Sequence, residues 1–565
     1  MHFLPRLRSL ARRFLLLTLV VIGAICGVLA VLFHQYVELA RRLLLGRALE
    51  THGALRVALF LGIPSLTFAG LALIIRRLAP GAVGANLARV RMAYNADPSL
   101  LGTRAIAATF LATPLSLGAG APLGPEGPIV VVTSGVSAAI ARWLRLPRKL
   151  VRGMIPVGVA AGIAAVFNTP ITAVVFALEE VFGAADRGLL GGVLVGAVAA
   201  AVVEKALLGG RPLLAASASV WSNWRELLGF AIVGLLCGGI SGYAIRVIHV
   251  LRRWCARIMP STVMRVSLAG LLIGAIGLAV PSILGVGYDS VSFWLHGGDN
   301  GATTGIAFVA KVIAFTIAIS AGVLGGTFAP SLFMGAALGA AIGDTARQLF
   351  PTAAIDPKAY ALVGMGAFFA GLLRSPIAAV LIAVELTSDY DLIVPLMLAV
   401  SLSVAVSRVI SRHSMVEQQM LDEGWIEGHD AADPLAAVSV AEAMTREPVA
   451  LRAEVAVGEA LASARHRVYP VIDDGGRLMG VVLRAALERS DAAQPIGELV
   501  EQPKLVADAG ERLIEVVRRM QMRGADRCVV VDETRRVVGF LSPADILRAR
   551  LARTTADEER FELFG

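Results

Sequence analysis

The sequence predicts a mostly α-helical, polytopic membrane protein with broken, internally repeated helices, followed by a small α/β region. Three observations carry this expectation. The first is composition. Of 565 residues, 56% are apolar and only 17% charged, with mean hydropathy +0.72, where a soluble chain has roughly 25% charged residues. The second is unevenness. Residues 1–430 carry 54 charged side chains, whereas residues 431–565, less than a third as many positions, carry 41. The third is a repeat within the apolar part, described below. Together they exclude a disordered or fibrous chain and argue against a simple soluble enzyme.

The first apolar run, 14–33, is long enough to cross a bilayer. It follows Arg6, Arg8, Arg12 and Arg13, a basic flank that places the N-terminus in the cytoplasm. Its length sets it apart from the short core of a signal peptide. Further runs are expected at about 55–77, 104–121, 128–145, 155–180, 188–207, 226–250, 264–284, 304–324, 330–345, 360–384 and 392–410. Several are too short to span, and Gly and Pro interrupt many. The clearest breaks run from Gly118 to Pro128 and from Gly325 to Pro330. Broken backbone at membrane depth is tolerated where protein buries it or where it lines a cavity.

The repeat relates Val157-Gly158 and Thr169-Pro170-Ile171 through Glu179 to Val363-Gly364 and Ser375-Pro376-Ile377 through Glu385, at a constant offset of 206. The breaks repeat too: Gly124-Pro125-Glu126-Gly127-Pro128 against Gly326-Thr327-Phe328-Ala329-Pro330, at an offset of 202. Paired, interrupted apolar segments in corresponding halves point to a transporter binding site. The tail has its own repeat. Val440–Met444 leads to Tyr469–Asp473 and Gly480–Val482; Ile496–Val500 leads to Cys528–Asp532 and Gly539–Leu541. Each copy reads as strands around a helix.

The net charge is +9, made of +12 on residues 1–430 and −3 on the tail. Excess positive charge on a membrane part sets orientation, and no basic patch interleaved with aromatics suggests nucleic acid. Cys26, Cys237, Cys255 and Cys528 are scattered without metal-ligand spacing, so no metal site is expected. The membrane part carries no HExxH, Walker A loop or GxSxG elbow.

Pro128 and Pro330 each follow a Gly-rich turn and precede an apolar run, so each is expected at a first helical position. Two helix N-termini would then aim their unsatisfied N–H groups at one place near the midplane, which suits an anion. Glu126 lies in the first break. A carboxylate at membrane depth is a functional candidate by default. Beside helix N-termini it can occupy the anion site itself, acting as tethered anion, gate and proton carrier; its plainer role would be a helix cap. Glu179 matches Glu385 across the repeat and is expected to be structural. Glu180 matches Leu386, and this asymmetry makes it the candidate proton relay. Gly335, Gly339 and Gly343 have the spacing of closely packed membrane helices. His34 and His413 are lone, near expected interfaces, and neither reads as a ligand.

At these residues the chain resembles the CLC family of chloride channels and anion/proton antiporters. Gly124-Pro125-Glu126-Gly127-Pro128 is similar to its GREGP or GKEGP motif, Gly326–Pro330 to GxFAP, and Ala165–Pro170 with Glu179-Glu180 to the segment carrying the antiporters' internal glutamate. The resemblance spans roughly residues 15–416. It implies inverted halves, about eighteen helices and a homodimer with one pore per subunit. Glu126 would be the gating glutamate and Glu180 the internal proton glutamate. Gly124, Gly127, Gly326, Thr327, Phe328 and Ala329 would surround the anion, with Gly84, Ala85 and Asn86 standing where the family has GSGIP. Three departures matter. Pro125 replaces a basic residue, Ala85 the anion-binding serine, and Val416 the central tyrosine. Asn86 is the candidate replacement donor.

The tail is similar to paired CBS domains. Gly539-Phe-Leu-Ser542-Pro-Ala-Asp545 resembles their ribose-binding stretch, which implies an adenosine nucleotide held by Ser542 and Asp545; the first copy has Leu483 and Ala486 there. No cofactor is otherwise expected. The expected organisation is a transport domain over 1–416, a linker over 417–438, CBS copies over 439–490 and 491–553, and a terminal tail over 554–565. The expected activity is transport of an anion, chloride, coupled to proton antiport, in the inner membrane with the CBS tail cytoplasmic. The alternatives are an uncoupled channel or fluoride exporter of the same fold, a CBS-gated cation transporter, which would need an acidic pore, and an intramembrane enzyme, for which no nucleophile–base pair is visible.

Overall fold

In the computed structural model, the residues described are 3–78, 86–95, 98–182, 190–209, 214, 224–298, 301–353, 355–388, 390–423, 435, 438–446, 448–463, 466–532 and 534–562. The chain divides into two units, Met1–Ile426 and Glu427–Gly565.

The first unit is helical. In order come α1 (Phe3–Arg41), α2 (Arg47–Glu50), α3 (Gly53–Leu78), α4 (Leu87–Asn95), α5 (Thr103–Gly118), α6 (Glu126–Trp143), α7 (Arg148–Phe167), α8 (Pro170–Ala177) and α9 (Leu190–Leu208). Then follow α10 (Glu226–Ile258), α11 (Thr262–Ala279), α12 (Tyr288–Leu295), α13 (Gly301–Ala321), α14 (Phe328–Leu349), α15 (Pro357–Leu373), α16 (Pro376–Thr387), α17 (Ile393–Ile410) and α18 (Met415–Asp422). Among the described residues, eight helical stretches are long and apolar enough to cross a membrane.

The two long expected runs 155–180 and 360–384 are each divided, and at matching places. Asn168 ends α7 and Arg374 ends α15, both in the left-handed conformation with φ of 54° and 65°. Each is followed by a hydroxyl residue and a proline, Thr169-Pro170 and Ser375-Pro376, whose ring suits the first position of the next helix. Packing repeats as well. Gly158 on α7 meets the Thr133 carbonyl on α6, and Gly364 on α15 meets the Gly335 carbonyl on α14. A Cβ would sit 2.5 Å and 2.2 Å from those oxygens, so only glycine permits either crossing. Gly339 and Gly343 continue the second seam against Tyr360, which gives the Gly335–Gly343 stripe its packing role. Helix α18 (Met415–Asp422) runs from the end of the expected transport domain into the expected 417–438 linker and buries Met415, Val416 and Met420 within this unit.

The second unit contains α19 (Val440–Ala443), β1 (Thr445–Arg446), β2 (Leu451–Arg452), α20 (Val457–Ser463), β3 (Val468–Ile472), β4 (Leu478–Leu483), α21 (Arg484–Leu487), β5 (Val506–Asp508), α22 (Leu513–Met522), β6 (Cys528–Val531), β7 (Val537–Leu541) and α23 (Pro543–Glu562). The sheets run β1-β7-β6-β5 and β2-β3-β4. The two copies exchange their leading segments. Val440 and Ala441 donate to the Glu511 and Ala509 carbonyls, and Ile496 and Gly497 donate to those of Val455 and Ala453. The boundary at 490/491 therefore divides the repeat in sequence, while in space each copy's first turn completes the other.

Candidate functional site

The site forms where the two Gly-rich breaks meet. Gly124 N–H donates to the Gly326 carbonyl at 2.9 Å, and Gly326 N–H returns a bond to the Gly124 carbonyl at 2.6 Å. This antiparallel bridge joins residues 202 positions apart. Each glycine amide thus satisfies the other break's carbonyl, because two interrupted backbones in an apolar medium pair most readily with each other. Helix α6 starts at Glu126 and α14 at Phe328, two residues before Pro128 and Pro330. The prolines were expected at the first helical position. They lie two steps further into the first turn, where an N–H still has no intrahelical acceptor.

Glu126 is the first residue of α6 and fully buried. Its carboxylate reaches across to the other half. The Ala329 N–H, in the first turn of α14, donates to Oε2 at 3.3 Å. The Tyr288 hydroxyl donates to Oε1. The carboxylate is thus seated against the positive end of α14. A Cβ on Gly124 would lie 2.1 Å from Oε2, so glycine is what lets the carboxylate fold back over the bridge.

A cavity of about 380 Å³ opens beside it. Its walls include Glu126, Gly127, Gly326, Thr327 and Phe328 from the two breaks, and Asn86 and Val416 from elsewhere. The Thr327 and Phe328 amides, at the start of α14, have no acceptor within their own helix. Asn86 precedes α4 and caps it: its Oδ1 accepts the Arg89 N–H at 3.2 Å, which leaves the amide NH2 as the donor half of the side chain. Ala329 spends its N–H on Glu126. Gly84 and Ala85 lie outside the described residues.

The second candidate carboxylates lie at the end of α8, in a π-helical turn over Leu178–Phe182. Such turns accommodate one extra residue and often occur at functional sites. Glu179 accepts the N–H groups of Ile377 and Ala378 at 3.1 and 2.9 Å, opening α16. Its repeat mate Glu385 accepts those of Ile171 and Thr172 at 3.1 and 2.6 Å, opening α8, with the Thr172 hydroxyl at 2.5 Å. The pair form a reciprocal clasp between halves, the structural role expected of them. Glu180 points elsewhere. It is buried, takes the Ser375 hydroxyl on Oε1, and leaves Oε2 with no protein partner among the described residues. On the nearby surface Glu417 lies 4.0 Å from Arg91 and 3.9 Å from Arg374.

Three participants were not anticipated from sequence: Tyr288, Ser375 and Lys311. Lys311 is fully buried in α13 and donates to the Ile283 and Gly285 carbonyls at 2.9 and 2.8 Å. A lone charge inside the apolar run 304–324 was a usable signal for it.

In the tail, Asp545 is buried and its oxygens have protein donors. Oδ2 accepts the Ser542 N–H and hydroxyl at 2.9 and 2.6 Å, and Oδ1 accepts the Thr445 hydroxyl at 2.9 Å. Asp545 thus closes the first turn of α23 by accepting from Ser542, the residue before that helix.

Residues 66–408 match the voltage gated chloride channel family, and residues 440–490 and 496–552 match the CBS domain family. Over 288 residues the chain is 35% identical to a ClcB-like protein of Ralstonia nicotianae, a stretch covering 50% of this chain and 67% of that one. It is 27% identical over 395 residues to the H(+)/Cl(-) exchange transporter ClcA of Citrobacter koseri, covering 68% and 83% of the two chains. Among solved structures it is similar to a eukaryotic CLC transporter, with a TM-score of 0.67, 20% identity, and coverage of 95% of this chain and 98% of that one. From the paired breaks, the carboxylate between them and the matching span, the chain belongs to the voltage gated chloride channel, or CLC, family, as a multi-pass membrane protein followed by a CBS pair.

Proposed function

We propose that this protein exchanges chloride for protons across the membrane. The observation that carries this reading is the fully buried Glu126 carboxylate seated on the first turn of a helix from the opposite half, at the edge of a cavity. A site that holds a carboxylate by backbone N–H groups also suits a dehydrated halide. The two compete. When an anion takes the α14 end, the Glu126 carboxylate is displaced and gains a proton; when the proton leaves, the carboxylate returns and expels the anion. The amides of Thr327 and Phe328 and the Asn86 NH2 are the donors assigned to the anion. Glu180 is the second proton site, since it is buried, has one oxygen without a protein partner, and has no counterpart in the other half. That second carboxylate favours coupled exchange over an uncoupled channel. Relatives named as H(+)/Cl(-) exchange transporters support the choice.

The same reading extends to the assembly. Exposed apolar side chains on α8, α9, α16 and α17, among them Ile171, Val198, Ile377 and Met397, suit pairing with a second copy. The location is the inner membrane, with the N-terminus and CBS pair cytoplasmic, and Ser542 and Asp545 remain the place for an adenosine nucleotide. The test is purified protein in liposomes under an outward chloride gradient with external pH recorded. Chloride efflux should drive protons inward. Efflux without proton movement would select the channel, faster fluoride than chloride would select the fluoride exporter, and no anion flux would end the proposal.

A further inference from the structure

Val416 offers no hydroxyl where the family pattern has a tyrosine, yet a tyrosine hydroxyl does reach this site. It comes from α12. Tyr288 is the first residue of that helix, and its hydroxyl donates to Glu126 Oε1, on the opposite oxygen from the Ala329 amide. The ring meets Phe167 edge-on with centroids 6.4 Å apart, and Phe167 in turn lies 5.7 Å from Phe328, the first residue of α14. Aromatic packing therefore holds the ring, and the hydroxyl adds one bond to the carboxylate.

The loop that presents Tyr288 is also fixed. Gly285 and Gly287 have φ of 66° and 89°, the left-handed region that favours glycine. Lys311 supports this turn with two bonds, to the Ile283 and Gly285 carbonyls, and its Nζ lies 4.7 Å from the centre of the Phe333 ring. Phe333 belongs to α14, the helix that supplies the Ala329 donor. Lys311 thus ties the turn before Tyr288 to the helix carrying the other half of the carboxylate's cradle.

We propose that Tyr288 is a positioning residue that latches the Glu126 carboxylate in its seated place, with Lys311 fixing the turn that presents it. This rests on Glu126 being a tethered anion that competes with chloride. A donor to the seated carboxylate strengthens the competitor, so the latch weakens chloride binding without touching chloride. Removing it should do what loss of an ordinary packing residue does not, and tighten chloride binding.

The experiment is chloride titration calorimetry on the full-length purified protein, comparing wild type, Tyr288→Phe, Glu126→Ala and the double variant. Phenylalanine keeps the ring and its contacts, so only the hydroxyl is lost. Tyr288→Phe should bind chloride about tenfold more tightly than wild type, the order expected for one charge-assisted bond. Glu126→Ala and the double variant should bind chloride equally, because without the carboxylate there is nothing to latch. Unchanged or weaker binding in Tyr288→Phe, or the same gain in the Glu126→Ala background, overturns the latch while leaving the tethered-anion reading intact. No chloride binding by Glu126→Ala overturns that reading and the latch together.

Discussion

The two halves of the membrane unit are built alike and equipped differently. The frame is shared. Each half has a break that bridges to the other, a proline in the first turn beyond it, a glycine-mediated helix crossing, a left-handed helix end, and a glutamate clasping the other half's next helix. The working groups are not shared. Glu126 faces Phe328 across the repeat, and Glu180 faces Leu386. Tyr288 and Lys311 contribute from the second half toward the carboxylate of the first. The difference teaches that symmetry here marks architecture, while the groups proposed for exchange stand where it fails.

The largest expected effect breaks the comparison at Glu126. Glu126→Gln removes the charge that only one half carries, so proton movement should vanish while chloride efflux continues in liposomes; surviving proton flux would show that the asymmetric carboxylate is not the carrier. Next comes Glu180→Gln, which should lower proton movement about a hundredfold, the order of a lost proton-transfer group, with chloride binding by calorimetry unchanged. The smallest effect sharpens the symmetric side. Glu179→Ala and Glu385→Ala each strand two helix-opening amides, so each should lower stability by about 1–3 kcal/mol per stranded amide, and the two losses in thermal unfolding should be similar. A strong change in the proton-to-chloride ratio at either position would mean that the clasp does more than hold.

The sequence reveals most of the frame because apolar length and Gly/Pro punctuation are local signals. The two breaks and the pairing of Glu179 with Glu385 could be read from it, whereas the divisions at Pro170 and Pro376 fell inside runs expected to be continuous. Glu180 stood out because the repeat supplied an internal reference and because the family resemblance places the internal glutamate there. What stayed hidden depends on distance in the chain. Tyr288 lies 162 residues from Glu126 and nothing near it names its partner. Likewise, the mutual exchange of leading segments in the CBS pair is invisible in a repeat, since both pairings use the same residues. Asn86 could be anticipated as a polar residue near the cavity, but not as a helix cap whose oxygen is already committed.

The clasp and the bridge together engage six backbone amides, those of Gly124, Gly326, Ile171, Thr172, Ile377 and Ala378. Parting the halves would strip all six in a medium without water, and at about 1–3 kcal/mol for each stranded group that is a steep barrier. Alternating access by rocking one half against the other, a common device among transporters, would carry that whole cost. On the proposed exchange reading the moving part is instead the Glu126 side chain on a fixed scaffold: opening is a rotation about a few single bonds, and the traffic of ions passes a doorway whose posts stay still.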